Sequence, residues 1–245
     1  MNQPLPPPTT STPGRRPHGL WLAIESTQGT VSVALGRWEP PTLDILAERA
    51  VDPTRDDDVL LPAIDAMVRG CGCAPSQLVG VVVGLGPGGF TGARIGVSTG
   101  QAIAESLRVS IAGIPSALGI AQATCGGAWS QHDQADVIVL LATRGNACWA
   151  THVSKPRGGA PDVASQGIAQ STSGWAAGAM VVGDEHLPGW ATESAGGQWG
   201  GLVRPVVGAA ALLTLASFGD GPWNDDPARI APMYAHAPST TPRPG

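Results

Sequence analysis

Residues 78–85, LVGVVVGL, form a nearly unbroken apolar run, and no other stretch of the 245-residue chain limits the possible folds as much. A strand with one wet face alternates apolar and polar side chains. A run without alternation belongs to a strand covered on both faces, the usual condition of a parallel sheet flanked by helices. A glycine-rich turn follows, then a helical pattern over 90–109, a short strand at 110–113 and the start of another helix at 116–123. Upstream, 20–25 (LWLAIE) is an apolar run that stops at a carboxylate, 26–29 (STQG) is turn chemistry, and 30–35 (TVSVAL) alternates. These predict a β-hairpin, with 43–49 as a third strand. Residues 56–71 predict a helix: aspartates suit its positive N-terminal end, and Leu60, Leu61, Ile64, Met67 and Val68 recur at helical spacing. The order β-β-β-α-β-α-β-α over 20–125 implies an α/β fold, a mixed sheet with helices on its faces.

The pattern weakens after residue 135. Residues 136–143 predict a strand, 147–153 its hairpin mate, 180–182 another strand and 206–218 a helix; 156–204 is too rich in glycine and serine for assignment. The expected organisation is a disordered tail over 1–19, an N-terminal lobe over 20–125, a C-terminal lobe over 126–236 and a second tail over 237–245. Gly126-Gly127 marks the boundary.

Charge argues against nucleic-acid binding by this chain alone. The net charge is −5, Lys155 is the one lysine, and the arginines are scattered, whereas phosphate neutralisation needs a positive face. Cys71-Gly-Cys73 has one intervening residue, not the two of a redox or zinc pair; it and Cys125 and Cys148 read as reduced thiols of a cytosolic protein. Residues 1–19 contain no apolar signal core, and no run of membrane-spanning length occurs, so the expected location is cytoplasmic.

The glycine-rich segment 84–100, GLGPGGFTGARIGVSTG, leaves three readings. A phosphate loop needs Gly-Lys-Ser/Thr opening its helix, and here Gly89-Phe90-Thr91 stands without a lysine. A dinucleotide turn fits the spacing of Gly84, Gly86 and Gly89, but the next strand ends in Ala112-Gly113-Ile114-Pro115 with no acid. The third reading is structural: Gly86, Pro87, Gly88 and Gly89 turn the chain tightly, Phe90 drops into the core, and Thr91 and Gly92 open the helix. Gly96 and Gly100 each cost about 1 kcal/mol relative to alanine, which implies that something large approaches the helix there.

Residues 86–107, GPGGFTGARIGVSTGQAIAESL, resemble the Gly-Pro-Gly-Ser-Phe-Thr-Gly-x-Arg-Ile-Gly signature of the TsaB (YeaZ) family, with Gly89 in place of serine. Residues 22–27 (LAIEST) resemble the family's opening strand and 31–35 its second. Leu60-Leu61-Pro62 resembles its first helix start, 141–149 its second-half strand pair and Pro232-Met233-Tyr234 its closing motif. The resemblance is strong over 20–115 and thin after that. It implies an actin-like (ASKHA, ribonuclease H-like) fold of two related halves. It also implies the dimerisation subunit of the complex that puts threonylcarbamoyl on N6 of the adenosine beside the tRNA anticodon. Such a chain is not an enzyme on its own. A TsaD-like subunit and a TsaE-like ATPase are the implied partners, with itself as a homodimer. ATP and metal belong to those partners, with no cofactor on this chain, and tRNA is met only through the complex.

The catalytic equipment is sparse. His18, His132, His152, His186 and His236 are widely spread, and no Gly-x-Ser-x-Gly elbow surrounds Ser106 or Ser116. Ser98 has that spacing, between Gly96 and Gly100, but inside the helical pattern of 90–109 rather than at a strand-to-helix turn. Residues 55–58 (RDDD) read as a solvated helix start. Glu25 stands where actin-like kinases keep a metal-directed aspartate. The chain departs from the family pattern at Asp56, at Ala142-Thr143-Arg144 and at Ala235-His236. The expected interface lies on the first helix and on the helix after the glycine loop. Val59, Ile64, Met67, Ile95, Thr99 and Ile103 are its knobs, and Gly96 and Gly100 admit a facing helix. The alternatives are an independent actin-like enzyme, a small-molecule kinase or metallohydrolase, and a homodimeric scaffold unrelated to tRNA.

Overall fold

The computed structural model describes residues 16–51, 60–129, 135–143, 145–156, 159–171, 179–183, 186–198, 202–203, 205–218 and 223–235. Val59, the acidic cluster at 55–58, Arg144, His236 and most of both tails lie outside the described residues.

The first half runs β1 (Gly19–Glu25), β2 (Val31–Glu39), β3 (Thr42–Val51), α1 (Leu60–Gly70), β4 (Leu78–Gly84), α2 (Phe90–Leu107), β5 (Ser110–Ile114) and α3 (Ser116–Trp129). The second runs β6 (Ala135–Ala142), β7 (Cys148–Lys155), β8 (Asp162–Ala169), β9 (Met180–Val182), α4 (Gly189–Gln198), β10 (Leu202–Val203), α5 (Ala209–Ala216) and β11 (Trp223–Asn224). One sheet has the order β11-β5-β4-β1-β2-β3 and the other β10-β9-β6-β7-β8. In each, the first three strands form an antiparallel meander, and two further strands add parallel to the first. The same five-strand plan therefore occurs twice, in a two-lobed α/β arrangement.

Strand alternation builds the layers. Leu20, Leu22 and Ile24 of β1, with Val81 and Val83 of β4, pack under α1 and α2. The opposite face, with Trp21, Ala23 and Val82, packs on α3 and α5. Helix α3 also meets β6 and β7 of the second sheet, whose Val137, Val139, Leu141 and Trp149 join the same core, so α3 lies between the sheets. On the second sheet's far side, Ile138, Leu140 and Val181 pack with Leu187 and Ala191 at α4. The chain's late elements return to the first sheet. Trp223 of β11 pairs with Ala112 of β5 and tilts against Trp21 at 4.8 Å; Trp21 stacks on Trp38 at 5.6 Å. The Arg16 guanidinium lies 4.6 Å over Trp38 and donates to the Ser217 carbonyl, so the start of the described chain ties these elements together. No helix among the described residues is long and apolar enough to cross a membrane.

Candidate functional site

The glycine loop leaves the carboxyl end of β4 and enters α2. Its glycines face the chain's own backbone. A Cβ on Gly88 would overlap the Thr27 carbonyl, and one on Gly92 the Ser26 carbonyl. The Gly89 N–H donates to the Thr27 carbonyl at 2.7 Å, so this amide is spent inside the fold rather than offered to an anion. Gly86 has φ +95°, where a side chain is strained, and a Cβ there would sit 2.7 Å from the Met233 carbonyl oxygen. The loop is thus threaded between residues 26–28 on one side and the C-terminal segment on the other. This is the structural reading of the three.

Gly96 and Gly100 answer to the same cause, and the expectation that they admit a facing helix is corrected. A Cβ on Gly96 would overlap Ser26 Oγ, and one on Gly100 would overlap the Val83 side chain. The large object approaching α2 is the molecule's own sheet. The face α2 buries is its small-residue face: Ala93, Gly96, Val97, Gly100 and Ala104. Ile64 and Met67 are also placed differently from the expectation. Both are 6 % exposed and pack into the core beneath α1, so they are not surface knobs. Thr99 is half-buried, and Ile103 packs at the margin of the same core. Ile95 is 48 % exposed.

Phe90 does not drop into the core. It is 41 % exposed, because the first turn of α2 projects past the glycine loop. Its ring meets Tyr234 at 4.9 Å, the Arg94 guanidinium lies 4.0 Å above it, and Arg94 Nε donates to the Tyr234 hydroxyl at 3.1 Å. On α1, Leu61 is 50 % exposed. Leu61, Phe90 and Ile95 therefore leave apolar surface on the outer helices of the first lobe. Sequence reasoning missed Leu61 and Tyr234. Spacing hid Leu61, since it lies seven residues before buried Val68, at the margin of the stripe formed by Leu60, Ala63, Ile64, Met67 and Val68.

Glu25 ends β1 and is 2 % exposed. Its Oε1 accepts from the Thr27 N–H at 2.8 Å and the Thr27 hydroxyl at 2.7 Å, while Oε2 has no hydrogen-bond partner. The Thr27 hydroxyl also contacts Ser116 Oγ at 2.9 Å, which accepts from the Gly86 N–H at 3.0 Å. Burial pushes the Glu25 pKa above its ordinary value, and the bonds from Thr27 pull part of that back. A buried carboxyl used this way fastens the 25–28 turn to the glycine loop and to the start of α3. His152 lies beside Asp136 across two strands, Nε2 to Oδ1 3.3 Å. Among the described residues no three His, Cys, Asp or Glu side chains cluster as metal ligands would.

Comparison with known proteins agrees with this geometry. The family description "TsaD: tRNA N6-adenosine threonylcarbamoyltransferase" matches residues 57–155. The chain is 33 % identical over 96 residues to the tRNA threonylcarbamoyladenosine biosynthesis protein TsaB of Bacillus subtilis, covering 39 % of this chain and 40 % of that protein. It is 28 % identical over 132 residues to the protein of the same name from Escherichia coli, covering 54 % of each. The matches thus span about half the length of these relatives or less. The solved structure of YeaZ from Pseudomonas aeruginosa superposes with a TM-score of 0.69 at 21 % identity, covering 88 % of this chain and 99 % of that one, so the fold is shared. The doubled sheet, the glycine loop and these likenesses make the chain similar to TsaB/YeaZ proteins over part of its length, with the fold of YeaZ over most of it.

Proposed function

We propose that this protein is a non-catalytic subunit of a tRNA threonylcarbamoyladenosine-forming complex, and that it acts by docking the outer face of α1 and α2 on a TsaD-like subunit. The observation that carries the reading is the division of labour on α2. Its glycine face is consumed by the molecule's own sheet, while Phe90 and Ile95, with Leu61 of α1, stand exposed. Partly exposed large apolar side chains on neighbouring elements suit a partner surface. The names of the relatives supply the process, and the TsaD description that matches residues 57–155 favours a partner built on a similar plan. In this reading ATP and metal chemistry belong to the TsaD-like and TsaE-like partners in the cytoplasm, tRNA is held by the assembly, and this chain supplies shape. The same face serves a homodimer when no partner is present. An independent kinase is disfavoured by the burial of Glu25 and by the internal use of the loop amide at Gly89.

The test is co-elution with a TsaD-like protein from the same organism. Ile95→Arg and Leu61→Arg alter exposed side chains, so the fold should change by no more than about 0.5 kcal/mol, while affinity should fall roughly tenfold or more. Unchanged co-elution of both variants would move the interface elsewhere. Modification of tRNA with this subunit omitted then shows whether the assembly needs it.

A further inference from the structure

The last described segment, residues 225–235, runs back along α2 from its C-terminal end to its first turn. It is anchored at one end by β11, which pairs with β5, and by Asp225, which accepts from the Ser110 hydroxyl at 2.6 Å. A single-turn helix at Pro227–Arg229 follows. Gln101, midway along α2, holds two consecutive points of the segment: its Nε2 donates to the Pro227 carbonyl at 2.8 Å and to the Ile230 carbonyl at 2.9 Å. Further on, the Met233 N–H donates to the Leu85 carbonyl at 2.7 Å, and the Met233 carbonyl presses against Gly86. The segment ends with Tyr234 on Phe90 and Arg94. None of its residues from 225 to 235 is fully buried. A shallow, sparsely bonded segment thus touches each part of α2 and the glycine loop, and it comes from the other end of the chain.

We infer that residues 225–235 form a strap that holds the glycine loop and the first turn of α2 in place. Tyr234 and Gln101 are its positioning residues. The strap rests on packing and hydrogen bonds alone. Its consequence for docking rests on the function proposed above: the strap sets the orientation of Phe90 and Arg94 within the partner face. Neither residue of the strap's two fastenings, Gln101 and Tyr234, reaches the core, so their loss opens the strap locally rather than unfolding the lobe.

The experiment is amide hydrogen exchange on the full chain carrying Gln101→Ala with Tyr234→Ala. Three hydrogen bonds and one ring contact are removed, and exchange should rise about tenfold or more over residues 85–95 as well as 225–235. Residues 20–24 and 137–141 should keep their wild-type protection. Tyr234→Phe, placed beside the intact Gln101, retains the ring on Phe90 and should restore most of the protection. A rise confined to 225–235, a uniform rise across both sheets, or failure of Tyr234→Phe to protect would each overturn the strap. Partner binding is scored separately. If the wild-type chain binds no TsaD-like protein, the docking reading fails while the exchange result still decides the strap. If the wild type binds and the strapless variant binds equally well, the strap's role in docking is refuted.

Discussion

Glu25 and Gly84 end neighbouring parallel strands so close together that a single methyl group on Gly84 would overlap the Glu25 carboxyl. The carboxyl is held on one side by Thr27 and left unbonded on the other. Folding therefore moves an acid out of water into a site with half the hydrogen bonds a carboxylate can accept, and the neutral form is favoured.

The pH dependence follows from that direction. A raised folded-state pKa gives a contribution that is fully present below the unfolded value near 4.5 and lost as pH rises through the folded-state value. Glu25→Gln keeps an oxygen for Thr27 and places an uncharged amide where Oε2 stands. Urea unfolding midpoints should fall more steeply with rising pH in the wild type than in Glu25→Gln, so that the variant gains relative stability at neutral pH. Parallel curves from pH 4 to 8 would show that the carboxyl ionises as freely in the folded state as in the unfolded one.

The loop glycines separate by what stands opposite them. Gly92→Ala drives a methyl group into the Ser26 carbonyl, and Gly88→Ala into that of Thr27. Backbone on both sides cannot swing away, so each substitution should cost about 3 kcal/mol, at the upper end for overpacking. Gly70, the last residue of α1, meets nothing within 4 Å; Gly70→Ala should stabilise the protein by about 0.5 kcal/mol through the loss of unfolded-state freedom. Thermal denaturation of the three variants gives the order directly.

Thiol reactivity should divide the cysteines in two. Cys125 and Cys148 are 1 % and 0 % exposed, and burial lifts each thiol to about 11. Cys71 and Cys73 are partly exposed at the end of α1. A disulfide reagent at pH 8 should label Cys71 and Cys73 in the native protein and reach the other two only after denaturant is added, because both access and thiolate are lacking at the buried pair. Rapid native labelling of Cys125 would mean that α3 separates from the second sheet far more readily than its packing implies.

Periodicity made the first lobe legible. The apolar run of β4 reports two-sided burial directly, and β1, β2, β4 and β5 stand within a few residues of where the pattern puts them. The alternation of β2 predicts one buried face, but Ser32 and Ala34 are buried as well as Val33 and Leu35, because helices cover both sides of the sheet. β8, DVASQGIA, was hidden because most of its side chains are small or polar and exposed at a sheet edge, with only Val163 and Ile168 large and apolar. β11 is two residues long and is held by Trp223 against Trp21, a contact with no local signature. The site divides along the same line. Spacing shows that Gly96 and Gly100 share a face of α2, but a missing side chain says only that a neighbour is near, and both sheet and partner helix satisfy it. The contact of Arg94 with Tyr234 joins residues 140 positions apart, and no local pattern announces it.

Helix α5 is short, eight residues, and begins at Gly208 without a side-chain cap of its own. Its first amides are satisfied from the first lobe instead. The Ala209 N–H donates to Ser32 Oγ at 3.1 Å and the Ala210 N–H to Glu48 Oε1 at 2.9 Å, while the Ser32 hydroxyl lies 3.4 Å from the same carboxylate oxygen. Two residues of β2 and β3 thus do the work of an N-cap for a helix more than 160 positions later, and the carboxylate also suits the positive end of the helix. Ser32 is 2 % exposed, so Ser32→Ala leaves a buried amide unpaired and should cost about 2 kcal/mol. Glu48→Ala leaves an amide that water can reach and should cost about 1 kcal/mol. The double variant should cost less than the two single losses added together, since Ser32 and Glu48 share one network. Chemical denaturation of the four proteins closes the cycle. Strict additivity would show that the two side chains cap α5 independently.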